Sequence, residues 1–128
     1  MNTKFSNQKI KPVFGDSRGN IFDILEIPVT HIGKITFKKG AVRGNHYHKK
    51  STQYSYVIGG KLELTIMGLN NKKIKKIILS EGDLTTIPPK MIHIYRALAN
   101  SSILDITTYA RGKKGYEEDT IRVKNDHV

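Results

Sequence analysis

The 128-residue chain contains no cysteine. Disulfide bonds, thiolate metal ligands and a cysteine nucleophile are therefore excluded, and a bound metal would need histidine, carboxylate, amide or water ligands. The chain also lacks any run approaching the ~18 apolar residues that cross a membrane, and its N-terminal segment has no continuous apolar core of the signal-peptide type. These absences predict a cytoplasmic protein with no membrane segment.

Acidic side chains are scarce, with 11 Asp and Glu against 22 Lys and Arg, and the net charge is +11. This balance favours anionic partners such as nucleic acids, phosphorylated metabolites or acidic surfaces, although a lysine-rich soluble surface has the same composition. Lys72, Lys73, Lys75 and Lys76 lie close together, but no base-stacking platform or nucleic-acid-binding module accompanies them. We expect a charged hairpin that protects a sheet edge, and no specific nucleic-acid partner.

No segment shows a convincing helical period of ten residues or more. Short alternating strands recur instead, at about 14–27, 32–37, 53–58, 61–66, 73–79, 85–87, 92–97 and 103–109. This pattern predicts an all-β barrel or sandwich in one domain. We expect one hairpin at 14–27 and another that joins 53–58 to 61–66 through Gly59 and Gly60. We also expect residues 1–12 to form a tail or edge arm, and the run from Tyr116 to Arg122 to cover an edge.

The stretch from Gly40 to Gly60 gathers polar side chains on one wall. His46 and His48 are two residues apart, so both imidazoles point to the same face of an extended strand. Arg43 lies just before them and Gln53 follows. The stretch therefore predicts a site in which these side chains share one pocket.

The spacing of this stretch resembles the first signature of the cupin family, which usually has Glu where this chain has Gln53. Gly82, Pro88 and His93 stand at the spacing of the second cupin signature. Lys90 takes the place of a usual glycine there and Ala97 that of a usual asparagine. The resemblance covers roughly residues 14 to 110. It implies one cupin domain over residues 1–128, folded as a small jelly-roll β-barrel.

In such a fold His46, His48 and His93 would converge, which leaves two interpretations open. The first is a metal site, in which the three imidazoles and Gln53 hold Fe, Ni, Mn or Zn. The amide of Gln53 is neutral and donates less well than a carboxylate, so it offsets less of the charge of a divalent ion. The second interpretation, which we favour, is an acid/base site without a cofactor.

A closer resemblance supports the second interpretation. The run Arg43-Gly-x-His46-x-His48-Lys-Lys-x-x-Gln53 is similar to the sugar-nucleotide 3,4-ketoisomerases, which act on dTDP-4-keto-6-deoxyglucose with paired cupin histidines and no metal. The turn Asp16-Ser-Arg18-Gly19 and the run from Tyr116 to Arg122 agree with that group. The strand before the histidines departs from it, because Ile35, Thr36 and Phe37 stand where a tyrosine is expected.

The resemblance implies a residue role for each part of the site. Moving a ketone to the adjacent carbon requires proton removal and return through an enediol, and His46 and His48 would do this because histidine titrates near neutral pH. Arg43 would bind the pyrophosphate or the enediolate oxygen. Gln53 would orient a histidine or bind the sugar. The remaining expected substrate-binding residues are His93 and Tyr95.

Two other functions stay open on the sequence. One is a metal-dependent cupin enzyme, and the other is a noncatalytic cupin that binds a sugar or an anionic metabolite. The expected partner is a nucleotide-sugar substrate. We also expect a homodimer, since exposed edges and apolar strand faces suggest burial against a second copy.

Overall fold

The computed structural model describes residues 3–70, 73–109 and 118–123. The strands of these residues are β1 (Ser6–Lys9), β2 (Phe14–Asp16), β3 (Gly19–Ile21), β4 (His31–Phe37), β5 (Val42–His48), β6 (Gln53–Gly59), β7 (Lys61–Gly68), β8 (Ile74–Ser80), β9 (Asp83–Ile87), β10 (Met91–Ala97), β11 (Ser101–Thr107) and β12 (Thr120–Arg122). Within the same residues, no helix has the length and apolar character needed to cross a membrane.

Ten of the strands form two five-stranded sheets, in the orders β1-β9-β6-β11-β4 and β12-β5-β10-β7-β8. All pairings in both sheets are antiparallel, and β2 and β3 pair with each other in a separate ribbon. The expected all-β jelly-roll architecture is confirmed. Its strands divide into the two layers of a sandwich rather than one continuous barrel sheet.

The core lies between the two layers. Because side chains alternate along a strand, every second residue of a strand faces the opposite sheet. Val57 and Ile103 from one sheet pack in the same buried cluster as Leu62, Leu64 and Leu79 from the other. Burying each such side chain stabilises the fold by ~1.5–3 kcal/mol. This packing fixes the distance between the sheets and hence the width of any pocket at their ends.

The predicted hairpin between the strands that flank Gly59 and Gly60 is wrong. β6 pairs with β9 and β11, whereas β7 pairs with β8 and β10. Gly60 has a φ of +94°, and a Cβ there would lie 2.5 Å from the carbonyl oxygen of Asn100. The two glycines therefore carry the chain from one sheet to the other. Alternation identifies a strand, but it does not reveal which strand is its partner.

The other edge predictions agree with the structure. The N-terminal arm contains β1, which pairs with β9 at one sheet edge. The expected hairpin is formed by β2 and β3, but it ends at Ile21, and residues 22–27 lie in no strand. The lysine-rich segment is the edge strand β8, where Lys75 and Lys76 are exposed. At the C-terminal end, β12 covers β5. Lys72, Tyr116 and Glu117 lie outside the described residues.

Large apolar side chains remain exposed on the β2–β3 ribbon and around β4. Phe14, Ile21 and Phe22 are between 45% and 56% exposed, and Ile32 on the edge strand β4 is 62% exposed. Homodimer formation stays a prediction, and this apolar surface is compatible with it.

Candidate active site

The three histidines of the two sequence signatures meet at one end of the sandwich. His46 on β5 stands opposite His93 on β10, and their ring centroids are 4.7 Å apart. The His48 ring centroid is 5.1 Å from that of His46 and 5.3 Å from that of His93. The structure therefore brings together the three residues that the sequence predicted to converge.

A β-bulge in β5 brings Arg43 to the same pocket. Arg43 is three residues before His46, so a regular strand would place the two side chains on opposite faces. The register shifts between His93, which pairs with His46, and Ile94, which pairs with Gly44. Asn45 is the extra residue. An added residue of this kind bends the strand and redirects the side chains before it.

The local sequence explains the bulge. Gly44 has a φ of +103° and Asn45 a φ of 61°, and glycine and asparagine are the residues that adopt positive φ most readily. Arg43 lines the pocket, and its guanidinium lies 5.5 Å from the centroid of the Phe37 ring. The Gly-Asn pair was a signal for this bulge, although alternation alone places Arg43 on the wrong face.

His48 is buried, and both its ring nitrogens contact protein groups. Its Nε2 lies 2.9 Å from the Gln53 side-chain oxygen. Its Nδ1 lies 3.2 Å from the Thr120 hydroxyl and 3.5 Å from the Asp119 carboxylate. With a proton on Nε2, the ring donates to Gln53 and accepts from Thr120, and a second proton on Nδ1 would face Asp119. Both protonation forms of His48 therefore find partners.

The hydrogen bonds continue from Gln53 to Tyr95. The Gln53 amide nitrogen donates to the Ser55 hydroxyl at 3.4 Å, and that hydroxyl lies 2.6 Å from the Tyr95 hydroxyl. Burial raises the pKa of Tyr95 most, the nearby Asp105 raises it further, and the bond with Ser55 opposes them. Tyr95 therefore stays protonated, and the chain of bonds fixes the Gln53 amide against His48.

Asp119 is a site residue that the sequence reasoning missed. Its carboxylate accepts a hydrogen bond from the Lys50 backbone N–H at 2.7 Å. Burial raises the pKa of Asp119, but hydrogen bonds from Ser51 and Lys50 and the proximity of His48 outweigh it, so the pKa lies below its usual value. Asp119 is thus ionised at neutral pH, beside His48. Asp119 lies in the run from Tyr116 to Arg122. The resemblance of that run to the ketoisomerases was the signal in the sequence that could have identified it.

His93 is a neutral acceptor in this pocket. Burial lowers its pKa well below the usual value, and the neighbouring His46 and His48 lower it further. Its Nδ1 lies 3.1 Å from the Met91 carbonyl oxygen and donates to it, which leaves a lone pair on Nε2. Among the described residues, that buried Nε2 has no hydrogen-bond partner. His93 therefore offers a lone pair to whatever occupies the pocket.

The three histidines of the pocket fit a metal ion only in part. Ligand atoms of His46, His48 and His93 lie within 4.8 Å of one another, and anchoring of one ring nitrogen by a carbonyl, as at His93, is typical of a histidine ligand. His48, however, would have to give up its contact with Gln53 or with Asp119 and Thr120 to bind an ion. The donor set fits a divalent ion only after that rearrangement.

Comparisons with known proteins agree with this architecture. Residues 30–119 match the family model described as Cupin. A search of curated protein sequences gives no match.

Three solved structures illustrate the likeness. A sugar 3,4-ketoisomerase from Thermoanaerobacterium thermosaccharolyticum in complex with TDP is 20% identical, with a TM-score of 0.77 over 94% of this chain and 88% of that one. A 3,4-ketoisomerase from Helicobacter canadensis is 20% identical, with a TM-score of 0.78 over 93% and 90%. A dTDP-4-dehydrorhamnose 3,5-epimerase from Sulfolobus tokodaii is 22% identical, with a TM-score of 0.73 over 93% and 75%. At these identities the likeness is one of fold.

Proposed function

The chain belongs to the cupin family, and from that premise and the geometry of its pocket we propose that it is a sugar-nucleotide ketoisomerase that acts on a dTDP-4-keto-6-deoxyhexose. The observation that carries the proposal is the pairing of His46 and His48 with an ionised carboxylate, Asp119, and a cation, Arg43, in one pocket. Structural similarity to 3,4-ketoisomerases, one of them with TDP bound, supports this substrate class.

The reaction needs one proton to leave a carbon and another to reach its neighbour. The hydrogen on C3 is acidified by the C4 ketone, and its removal gives an enediolate that spans both carbons. Return of a proton to C4, together with transfer of the proton on the C3 oxygen to the C4 oxygen, gives the 3-keto isomer with no net change in atoms or electrons. An imidazole can accept and return such a proton near pH 7.

The residues of this chain supply what each step of that reaction requires. The His46–His48 pair takes and returns the proton, and Asp119, 3.5 Å from His48 Nδ1, stabilises the positive charge that the pair carries in between. Arg43 faces the same pocket and would stabilise the enediolate oxygen or the diphosphate, since its planar fork of donors fits both. Gln53 holds the His48 ring in place.

Incubation with dTDP-4-keto-6-deoxyglucose in D2O, followed by NMR, tests the proposal. We expect the 3-keto isomer to form and deuterium to enter at C4 of the product. Deuterium at both C3 and C5, without isomer, would replace the proposal by a 3,5-epimerase, because those are the two carbons that flank a C4 ketone. Binding of the nucleotide-sugar with neither isomer nor exchange would leave a noncatalytic binding protein.

A metal-dependent enzyme is the second candidate, favoured by the Nε2 of His93, which has no hydrogen-bond partner in the described part of the chain. In that case His46, His48, His93 and Gln53 would hold the ion, which would act as a Lewis acid toward a substrate oxygen. We expect protein purified without chelator to contain far less than one equivalent of Fe, Ni, Mn or Zn by elemental analysis, and EDTA to leave turnover unchanged. Close to one equivalent, with activity lost to EDTA, would favour the metal enzyme.

A further inference from the structure

Two side chains of β6 bond across the interior of the sandwich to side chains of the other sheet. The Gln53 oxygen lies 2.9 Å from Nε2 of His48 on β5. The Ser55 hydroxyl lies 2.6 Å from the Tyr95 hydroxyl on β10, and it also accepts a hydrogen bond from the Gln53 nitrogen at 3.4 Å. Gln53, Ser55 and Tyr95 are at most 5% exposed, so water does not compete for their bonds. These three residues form the Gln53–Ser55–Tyr95 network.

Packing alone does not account for this network. Ser55 is fully buried, and the Tyr95 ring belongs to the apolar core cluster. A buried bond between two neutral hydroxyls adds little net stability, because a pair of apolar side chains of the same shape can replace it at almost no cost. The consequence of the network lies at its other end, where Gln53 meets His48.

The Gln53 amide can meet His48 in either of two directions. With its oxygen toward the ring, as observed, it accepts a hydrogen bond from a protonated Nε2, and the lone pair of the neutral ring is then on Nδ1. Turned by half a rotation, the amide would present its NH2 group, which needs a lone pair on Nε2 and a ring proton on Nδ1. The direction of one amide therefore decides which nitrogen of neutral His48 carries the proton.

The opposite side of the His48 ring does not by itself favour the observed direction. Nδ1 lies 3.2 Å from the Thr120 hydroxyl and 3.5 Å from the Asp119 carboxylate. The Thr120 hydroxyl can donate to a lone pair on Nδ1, but the ionised Asp119 attracts a proton to the same atom. The proton must therefore be held on Nε2 from the side of Gln53.

Ser55 and Tyr95 hold the amide in the observed direction. Because the Ser55 hydroxyl accepts from the Gln53 nitrogen, its single proton must point elsewhere. Tyr95 is its other hydrogen-bond partner in the part of the chain that the structure describes, so Ser55 donates to the Tyr95 oxygen. A turned amide would present its oxygen to Ser55. The hydroxyl could donate to that oxygen only by withdrawing its proton from Tyr95.

We propose that Ser55 and Tyr95 are positioning residues for His48, which through Gln53 hold the neutral ring with its proton on Nε2 and its lone pair on Nδ1. The proposal rests on the proposed function, in that it explains how one member of the His46–His48 pair is kept ready to become charged. A charged His48 carries protons on both nitrogens and needs the same direction of the Gln53 amide. Neither ring nor amide then has to turn during the reaction, which is the advantage of a preorganised site.

The chemical shifts of the imidazole nitrogens, measured by NMR on the full-length protein, report the tautomer without substrate. At about pH 8, above the usual titration range of histidine, we expect His48 of the wild type to carry its proton on Nε2. Loss of its signals in His48→Asn assigns them. In Ser55→Ala the Gln53 nitrogen has no acceptor, so the amide should turn and the proton should move to Nδ1, beside Asp119. Tyr95→Phe keeps the ring in the core but frees the Ser55 proton for a turned amide, so the same change is expected.

Turnover provides a second measurement. Ser55→Ala and Tyr95→Phe should each lower kcat by about two- to tenfold, the range for one net hydrogen bond, and leave KM unchanged. Because the two residues act as one unit, the double variant should lose no more than the larger single loss.

Ser101→Ala is the matched control. Ser101 is also buried, but its hydroxyl bonds to backbone groups of Lys61 and Ala99, and it does not line the histidine pocket. The variant should lower the melting temperature and leave both kcat and the tautomer of His48 unchanged. An equal effect on the tautomer in Ser101→Ala would reduce the result to lost stability and overturn the proposal.

Two further results would also overturn it. One is a wild-type His48 protonated on Nδ1, and the other is a proton that stays on Nε2 in both Ser55→Ala and Tyr95→Phe. Should Ser55→Ala fail to fold, Tyr95→Phe decides alone, since it removes one oxygen and keeps the aromatic ring.

The positioning role and the isomerase fail in different ways. Isomer formation with an unchanged kcat in Ser55→Ala and Tyr95→Phe would remove the positioning role and keep the isomerase. A tautomer of His48 that shifts as expected, in a protein that neither isomerises nor exchanges the sugar protons, would keep the control of the ring and remove the isomerase.

Discussion

His46 and His93 face each other across β5 and β10 with ring planes at 89° and centroids 4.7 Å apart, immediately beside the β-bulge. The pairing of these two residues marks the last regular position before the register shifts. On the far side of the shift, Arg43 pairs with Tyr95 and lines the same pocket. One inserted residue thus decides whether the cation and the imidazoles share a site.

Replacing Gly44 with alanine should damage this arrangement. A Cβ at Gly44 would lie 2.6 Å from the backbone oxygen of His93, and its φ of +103° is strained for alanine. We expect a loss of about 1–3 kcal/mol in the free energy of unfolding, measured by urea denaturation, together with a lower kcat as Arg43 shifts. Gly59→Ala is the control, because its φ is outside the left-handed region and a Cβ there meets nothing within 4 Å. Equal loss in both variants would contradict the role of the bulge.

Part of this site follows from the sequence. The period of two along a strand is enough to place His46 and His48 on one face, and the second signature adds His93. The position of Arg43 does not follow, because alternation counts three residues and predicts the opposite face. The Gly44–Asn45 pair signals an irregularity, and the pairing of β5 with β10 shows that it is one extra residue.

Long-range pairing also explains the remaining failures. Strands β6 and β7 are correctly predicted as strands, yet the turn at Gly59 and Gly60 joins two different sheets. Asp119 is about seventy residues from His48 in the chain, and it reaches that ring only because β12 pairs with β5. Local sequence patterns carry no information about contacts between residues so far apart in the chain.

The low pKa of His93 should make the protein less stable in acid. In the folded state burial and the neighbouring imidazoles hold the pKa well below 6.5, whereas the unfolded chain takes up a proton at about that value. The contribution of neutral His93 to the free energy of unfolding is complete above pH 6.5. It is lost progressively as the pH falls toward the pKa of His93 in the folded state. Because glutamine does not titrate, only the wild type loses this stability. The melting temperatures of the wild type and His93→Gln should therefore approach each other as the pH falls from about 8 to about 5. Parallel curves would contradict the prediction.

Asp119 should be needed for the rate more than for the fold. Asp119→Asn removes the charge beside His48 while keeping its shape, and we expect turnover to fall by ~10²-fold with little change in the affinity for TDP. The lowered pKa of Asp119 adds stability above about pH 3.8 that disappears as the pH falls through the folded value, so the variant and wild type should become equally stable in strong acid. Asp23→Asn, a change of the same charge at an exposed position, should leave turnover unaltered. Similar rates in the two variants would argue against a role for Asp119.

The histidines themselves separate proton transfer from metal chemistry. Asparagine keeps much of the shape and hydrogen bonding of histidine but has no acid/base capacity near neutral pH, so His46→Asn and His48→Asn should each lose ~10²- to 10⁴-fold in turnover and still bind TDP. His93→Asn should lose less, because His93 contributes a buried acceptor and the shape of the pocket rather than a proton. A metal site would instead make all three comparably necessary, with wild-type activity that depends on added metal. Near-normal turnover in both His46→Asn and His48→Asn would eliminate the acid/base mechanism, whereas equal collapse at all three positions would move the assignment to His46, His48 and His93 as metal ligands.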